Sequence, residues 1–223
     1  MRKGAGMTTD GGEPKWLDWG KRLQTMAQTG LTYCRDAHDI ARYHEIAGIA
    51  AAMIAEGAGV PVAQVREVFV PEVGHATPKL DVRTAVFRPG AGGTEILLVR
   101  EMSDGLWTLP GGWADVGESP SEAAAREVME ESGYRVRVTR LLAVLDKRRH
   151  PHPPDVYYIY KLFFAGEIIG GGETQGDGKE TDGVGFFPRH ALPPLSLKRT
   201  LPSQIESLFA LRAAGEAAPA LFD

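Results

Sequence analysis

The 223-residue chain has a single cysteine, Cys34, and so cannot close a disulfide within itself. No Cys/His spacing resembles a structural zinc site, and Cys34 reads as a small buried or half-buried side chain. Long hydrophobic runs are also missing. No stretch approaches the roughly 20 consecutive apolar residues of a membrane span, and Met1-Arg2-Lys3-Gly4 leads into polar, Gly-rich residues with no apolar signal segment. The expected setting is the cytoplasm, with no membrane partner. Nor is there an excess of positive charge: the formal net charge is -4, which gives no general attraction to nucleic acid or anionic membrane. A polyanionic substrate must then be met by a local basic patch or by a bound cation. No internal repeat is visible. What is present, 43% hydrophobic and 24% charged residues, suffices to bury one large domain or two small ones.

Residues 1–13 are Gly-rich and polar and read as a mobile leader. Beyond them Trp16, Trp19, Leu23 and Met26 recur at helical spacing, and Ile40, Tyr43, Ile46, Ala50 and Met53 do the same before Glu56-Gly57 ends the second run. A shorter helix follows Pro61 through Val65 and Val68, and residues 71–79 form a linker. Residues 14–70 thus form a helical module too small to be comfortable alone, packed on the remainder or on a second copy. Strand patterns begin next. They cover residues 80–87, then 95–100 after a Gly-rich turn at 90–93, then 135–145 and 156–164, with a short strand at 184–187 and a closing helix over 201–213. A single long helix starting near Pro120 lies among these strands, which predicts an α/β or α+β domain over residues 80–213 with helices on a mixed sheet, followed by a tail over 214–223.

The chemistry concentrates in residues 109–134. Ser119 is a good N-cap, Pro120 suits the first helical position, and Glu122 three residues after Ser119 completes a capping box. Ala123, Ala124 and Ala125 propagate the helix and Gly133 ends it. At about 100° per residue, Glu127, Glu130 and Glu131 crowd into one arc of this helix, in the C-terminal half where the helix dipole disfavours negative charge. One reading is a solvated acidic face. The other is an oxygen-donor cluster of the kind hard divalent cations select.

The full pattern decides between them. Gly112, then Glu118, then Arg126-Glu127-Val128, Glu130-Glu131 and Gly133 stand at the spacing of the Nudix box, with Tyr134 in place of the usual aliphatic residue as the one departure. The chain therefore resembles the Nudix hydrolase superfamily, which implies an α/β/α sandwich with a mixed sheet. The resemblance further implies that Glu127, Glu130 and Glu131 bind Mg2+ or Mn2+ and serve catalysis, with the Gly112 carbonyl as an added ligand. Arg126 and Glu118 are implied to form a structural ion pair, direct metal contact by Glu118 being the alternative. Metal-polarised water would attack one phosphorus of a diphosphate in line.

Outside the box, the N-terminal module resembles one bacterial branch of the superfamily, with Trp16-Leu17-Asp18-Trp19, Gln28-Thr29-Gly30-Leu31-Thr32-Tyr33, Ala76-Thr77-Pro78-Lys79 and Asp146-Lys147 as markers. That likeness implies a pyrophosphatase acting on ADP-ribose or a CDP-alcohol such as CDP-choline, commonly as a homodimer. The basic, Pro-stiffened stretch 146–154 offers Lys147, Arg148 and His150 as substrate ligands, and Arg199, with His190 before it, is placed at the pocket rim; each is equally readable as a solvated surface residue. In the Gly-rich segment 170–185, Glu180 is the expected general base and Glu173 its silent neighbour. Two other classes of function stay open: a non-catalytic nucleotide sensor, which the intact box carboxylates disfavour, and an added RNA 3'-exonuclease activity, which this acidic chain supplies with little basic surface.

Overall fold

The computed structural model describes residues 13–172 and 176–223, which form two compact units. One comprises the residues up to Pro78 together with Pro154–Tyr158, the other Lys79–Pro153 with Ile159–Asp223.

In the first unit, α1 (Lys15–Tyr33), α2 (Ala37–Ala58) and α3 (Val62–Phe69) pack around Leu17, Ala51, Ile54, Ala55 and Val65. Asp36 caps α2 by accepting from the N–H groups of His38 and Asp39. The helix runs past Glu56-Gly57, where the sequence ends it, and stops at Gly59, whose φ of 69° is the left-handed turn an L side chain resists. Gly57 has a different use: a Cβ there would collide with the Trp16 ring, so the residue marks the close crossing of α1 and α2. Glu13, which the sequence assigns to the leader, is buried against the more deeply buried Lys21 at 2.6 Å, and Lys21 also donates to the Asp155 carbonyl at 3.0 Å. Trp19, Met26, Tyr33, Ile49, Val70 and Val73 leave an exposed apolar surface on this unit.

The second unit is built on a seven-stranded sheet: β1 (Lys79–Gly90), β2 (Gly93–Glu101), β3 (Trp107–Thr108), β4 (Tyr134–Asp146), β5 (Ile159–Gly171), β6 (Thr181–Pro188) and β7 (Leu221–Phe222). The order is β3-β2-β1-β5-β4-β7, with β6 on β2; β1 runs parallel to β5 and antiparallel to β2, so the sheet is mixed. Alternation along the strands divides their side chains between two faces. Val82, Val86, Leu97 and Phe164 meet Ala123, Ala124 and Val128 of α4 (Pro120–Ser132) on one face. On the other, Ala85, Ile96, Leu98 and Phe163 meet Ile205, Leu208 and Phe209 of α5 (Pro202–Ala214). The result is an α/β/α sandwich.

Three elements depart from the sequence reading. Strand β5 begins at Ile159 rather than residue 156 and continues through glycines assigned to a loop, because Tyr134 and Arg135 of β4 pair with Gly171 and Gly170. The tail holds the short strand β7, which pairs in parallel with Ala143 and Val144. Strand β3, two residues long, gives no periodic signal at all. Among the described residues no helix is long and apolar enough to cross a membrane.

Candidate active site

Helix α4 and the loop before it set the site. The capping box is present in full: Ser119 Oγ accepts from the Glu122 N–H at 3.3 Å and Glu122 returns a carboxylate to the Ser119 N–H at 2.8 Å. The loop before the helix is laid against β1 in one antiparallel register: Ala114 N donates to Leu80 O at 3.1 Å, Val82 N to Gly112 O at 2.8 Å and Thr84 N to Pro110 O at 3.0 Å. Gly111, with φ 143°, sits so close to this strand that a Cβ would strike the Val82 carbonyl oxygen.

From α4, the buried Glu131 reaches back to this loop, and its Oε2 accepts from the Gly111 N–H at 2.8 Å. Burial pushes the Glu131 carboxyl up to about 8, against the opposing pull of Arg83 and the Gly111 N–H. Glu127 lies beside Gly112, where a Cβ would approach its carboxylate to 3.0 Å, and burial raises its pKa as well. Glu130 is turned outward, with a half-exposed side chain, and accepts from Arg126 Nη1 at 2.9 Å. Arg126 is the hub of the outer side: its Nε donates to both Glu118 oxygens, at 2.9 and 3.1 Å, and its Nη1 to Glu127 at 3.0 Å.

Glu180 occupies the exposed turn leading into β6. Asp177 Oδ1 accepts from the N–H groups of Lys179, Glu180 and Thr181, each at 2.9 Å, and Thr181 Oγ1 donates to the Glu131 carbonyl at 3.3 Å. The turn is thereby tied to the end of α4, and the Glu180 carbonyl accepts from Met102 N at 2.8 Å. Glu173 lies outside the described residues.

Among the substrate candidates, Arg199 Nε is 2.8 Å from the buried Glu101 carboxylate, and Nη1 lies 3.5 Å from Asp104. His150 contacts the Asp223 carboxylate at 3.1 Å and lines a cavity of 140 Å³ against α5. Arg148 folds back on Asp146 at 2.8 Å, and Lys147 is buried. His190 follows β6, within 4 Å of where a Cβ on Gly92 would stand.

In the sheet-bearing unit, four described buried charges escaped the sequence reading: Asp81, Arg83, Glu101 and Lys161. Arg83 forks onto Asp81, with Nε–Oδ1 and Nη2–Oδ2 both 2.9 Å, and its Nη1 donates to the Leu109 carbonyl at 3.1 Å. Lys161, opposite Asp81 in the parallel pairing, donates to Asp81 Oδ1 at 2.7 Å. A signal was available, since a charged residue at an inward position of an otherwise apolar strand must find a buried partner.

Residues 78–209 match the family described as NUDIX domain, more than half of the chain. The chain belongs to the Nudix family. Residues 14–69 match a second family, the UDP-X-like, N-terminal oligomerisation domain. The "Putative ADP-ribose pyrophosphatase YjhB" of Bacillus subtilis is 45% identical over 198 residues, which are 88% of this chain and 92% of that protein. Among solved structures, a UDP-X diphosphatase is similar with a TM-score of 0.59 and 30% identity, covering 94% of this chain and 98% of the other. An ADP-ribose pyrophosphatase from Streptococcus suis 89-1591 gives 0.54 and 37%, over 66% and 100%. This Nudix protein is a pyrophosphohydrolase. Enzymes of the family generally use divalent metal ions.

Proposed function

We propose that this enzyme hydrolyses the diphosphate linkage of a nucleoside diphosphate joined to a small group X, with ADP-ribose leading and CDP-alcohols such as CDP-choline next. The observation that carries the reading is the pairing of the buried Glu131 with the Gly111 N–H beside Glu127. Among the described residues no three acidic, His or Cys side chains form a closed metal cage. The donor set nevertheless suits a hard cation: two carboxylates whose burial is under-compensated stand beside a glycine backbone that admits close approach. Glu127, Glu131 and the Gly112 carbonyl, with Glu130 at the outer edge, would hold Mg2+ or Mn2+. When bound, such a cation polarises phosphoryl oxygens and makes water nucleophilic near neutral pH.

The remaining work falls to the chain itself. Arg126, held by Glu118, fixes Glu127 and Glu130 on their side of α4. Glu180 carries a carboxylate on an anchored turn next to the end of α4, where it can accept the proton released by the attacking water. Arg199 offers guanidinium N–H groups for a phosphate or for an acidic part of X, in competition with Glu101. The likeness of residues 14–69 to an oligomerisation domain and the exposed Trp19, Met26 and Tyr33 support a homodimer.

The test is a screen of ADP-ribose, UDP- and CDP-linked sugars and alcohols, NADH, diadenosine polyphosphates and nucleoside triphosphates with product analysis. Nucleoside monophosphate plus phospho-X is the expected product pair. Turnover of triphosphates alone, releasing pyrophosphate, would replace this reading with a triphosphate-sanitising one.

A further inference from the structure

We propose that Arg83 is a positioning residue for hydrolysis: anchored in the sheet by Asp81 and Lys161, it holds the Leu109 carbonyl and so sets the loop 109–112 against Glu131. The proposal rests on the diphosphate-hydrolase reading above and deepens it. The loop has two kinds of hold on β1. Backbone hydrogen bonds from Val82 and Thr84 fix its register, and between them, on the opposite face of the strand, the Arg83 side chain grips the Leu109 carbonyl where the loop begins.

A fork is needed for that task. Two of the guanidinium nitrogens are committed to the two oxygens of Asp81, which leaves the third directed at Leu109 as a fixed consequence of planar geometry. Asp81 is itself immobilised, because Lys161 donates to one of the same oxygens from the neighbouring strand. All three residues are more than nine-tenths buried. Such a cluster carries a desolvation penalty that well-packed apolar residues would avoid. Its cation is also placed to act on the site, since Arg83 interacts electrostatically with Glu131 and Glu101 as well as with Asp81. Gly111 N–H and Glu131 therefore meet between two fixed bodies: α4 on one side and a loop clamped by Arg83 on the other. A displacement on the scale of one ångström at such a contact is enough to cost about a hundredfold in rate.

The experiment compares Arg83→Lys and Arg83→Ala with the wild-type full chain. Arg83→Lys keeps a buried positive charge on Asp81 but has no second arm for Leu109. Turnover of the best nucleoside diphosphate substrate, binding of Mn2+ alone by electron paramagnetic resonance, and hydrogen exchange of the amides of Leu109 and of residues 111–114 are read in parallel. Arg83→Lys is expected to lower kcat by about tenfold or more with KM little changed, to weaken Mn2+ binding several-fold, and to speed exchange in that loop but not across the sheet. Guanidinium ion added at low concentration is expected to restore part of the turnover of Arg83→Ala. Wild-type kcat and Mn2+ affinity in Arg83→Lys would overturn the proposal. So would faster exchange throughout the sheet, or a failure of both variants to fold, since Arg83 would then be holding up the fold rather than the loop. Should the wild type cleave no nucleoside diphosphate, the proposed reaction fails, while Mn2+ binding and loop exchange still report on Arg83.

Discussion

Replacing Glu131 by Gln should make the metal-free protein more stable and the enzyme nearly inert. The carboxylate is 4% exposed, and burial outweighs Arg83 and the Gly111 N–H to bring its pKa from 4.5 to about 8. A carboxyl whose folded pKa is raised contributes its stability fully below the unfolded value and loses it as pH rises through the folded one. The relevant window is therefore about pH 4.5 to 8. At pH 7 the linkage amounts to at most about 3 kcal/mol, and relaxation of the site reduces it to about 1–3 kcal/mol. Glutamine has the same shape, keeps an oxygen for the Gly111 N–H and never ionises, so the variant escapes this loss. With about 2–4 °C per kcal/mol for a chain of this size, its melt in chelator at neutral pH should lie about 2–12 °C above wild type. The gap should close near about pH 4.5, where both side chains are neutral. Added Mg2+ should then raise the wild-type melt more than the variant's, and turnover of the variant should be lower by at least about a hundredfold. Calorimetry in chelator at the two pH values decides the matter. A variant that melts at or below wild type at neutral pH, or one that keeps near-normal turnover, would refute the reasoning.

Other consequences are checked more simply. Glu180→Gln should lower kcat by about ten- to a thousandfold with little change in KM, and steady-state kinetics showing an unchanged kcat would move the base elsewhere. Arg126→Ala frees Glu118, Glu127 and Glu130 at once; because the pairs are partly exposed, the loss of stability should stay near about 1 kcal/mol while activity falls, and a melt and a rate measured together test that split. His152 donates from Nδ1 to the Leu197 carbonyl and accepts from Gln204 at Nε2; burial, against the Leu197 contact and with the nearby Lys161 and Lys147, holds it neutral, with its pKa lowered to about 4. Its share of stability is present above the unfolded value of 6.5 and disappears as pH falls towards 4, a loss of about 1–2 kcal/mol after allowance for its partial exposure. His152→Gln should flatten that part of the stability profile in urea titrations, and an unchanged slope would remove His152 from the account.

Helix α4 was legible from residues 109–134 because everything that specifies it is local: cap, alanine run, terminal glycine and the spacing of three glutamates. The strands of the sandwich were legible from their alternation, and the family pattern supplied how they assemble. What escaped detection depends on pairing between distant segments. Strand β5 continues through Gly170 and Gly171 only because β4 lies beside it, and β3 is too short to show a period. Asp81, Arg83 and Lys161 interrupt apolar strands, and a parallel register 80 residues apart in sequence joins them into one buried cluster. The basic stretch 146–154 is a different case. Its charges are conspicuous in sequence, but Arg148 and His150 contact Asp146 and Asp223, and local carboxylates compete with any substrate for them.

The central claim is that Glu127, Glu131 and the Gly112 carbonyl hold a divalent cation for cleavage of a nucleoside diphosphate linkage. Its most direct test is the rate of ADP-ribose or CDP-choline hydrolysis in protein stripped with chelator and then titrated with Mg2+ or Mn2+. Negligible turnover is expected without metal, with recovery in the wild type giving nucleoside monophosphate as product, and no comparable recovery in Glu127→Gln or Glu131→Gln. Full turnover in chelator, or equal recovery in both variants, would contradict it.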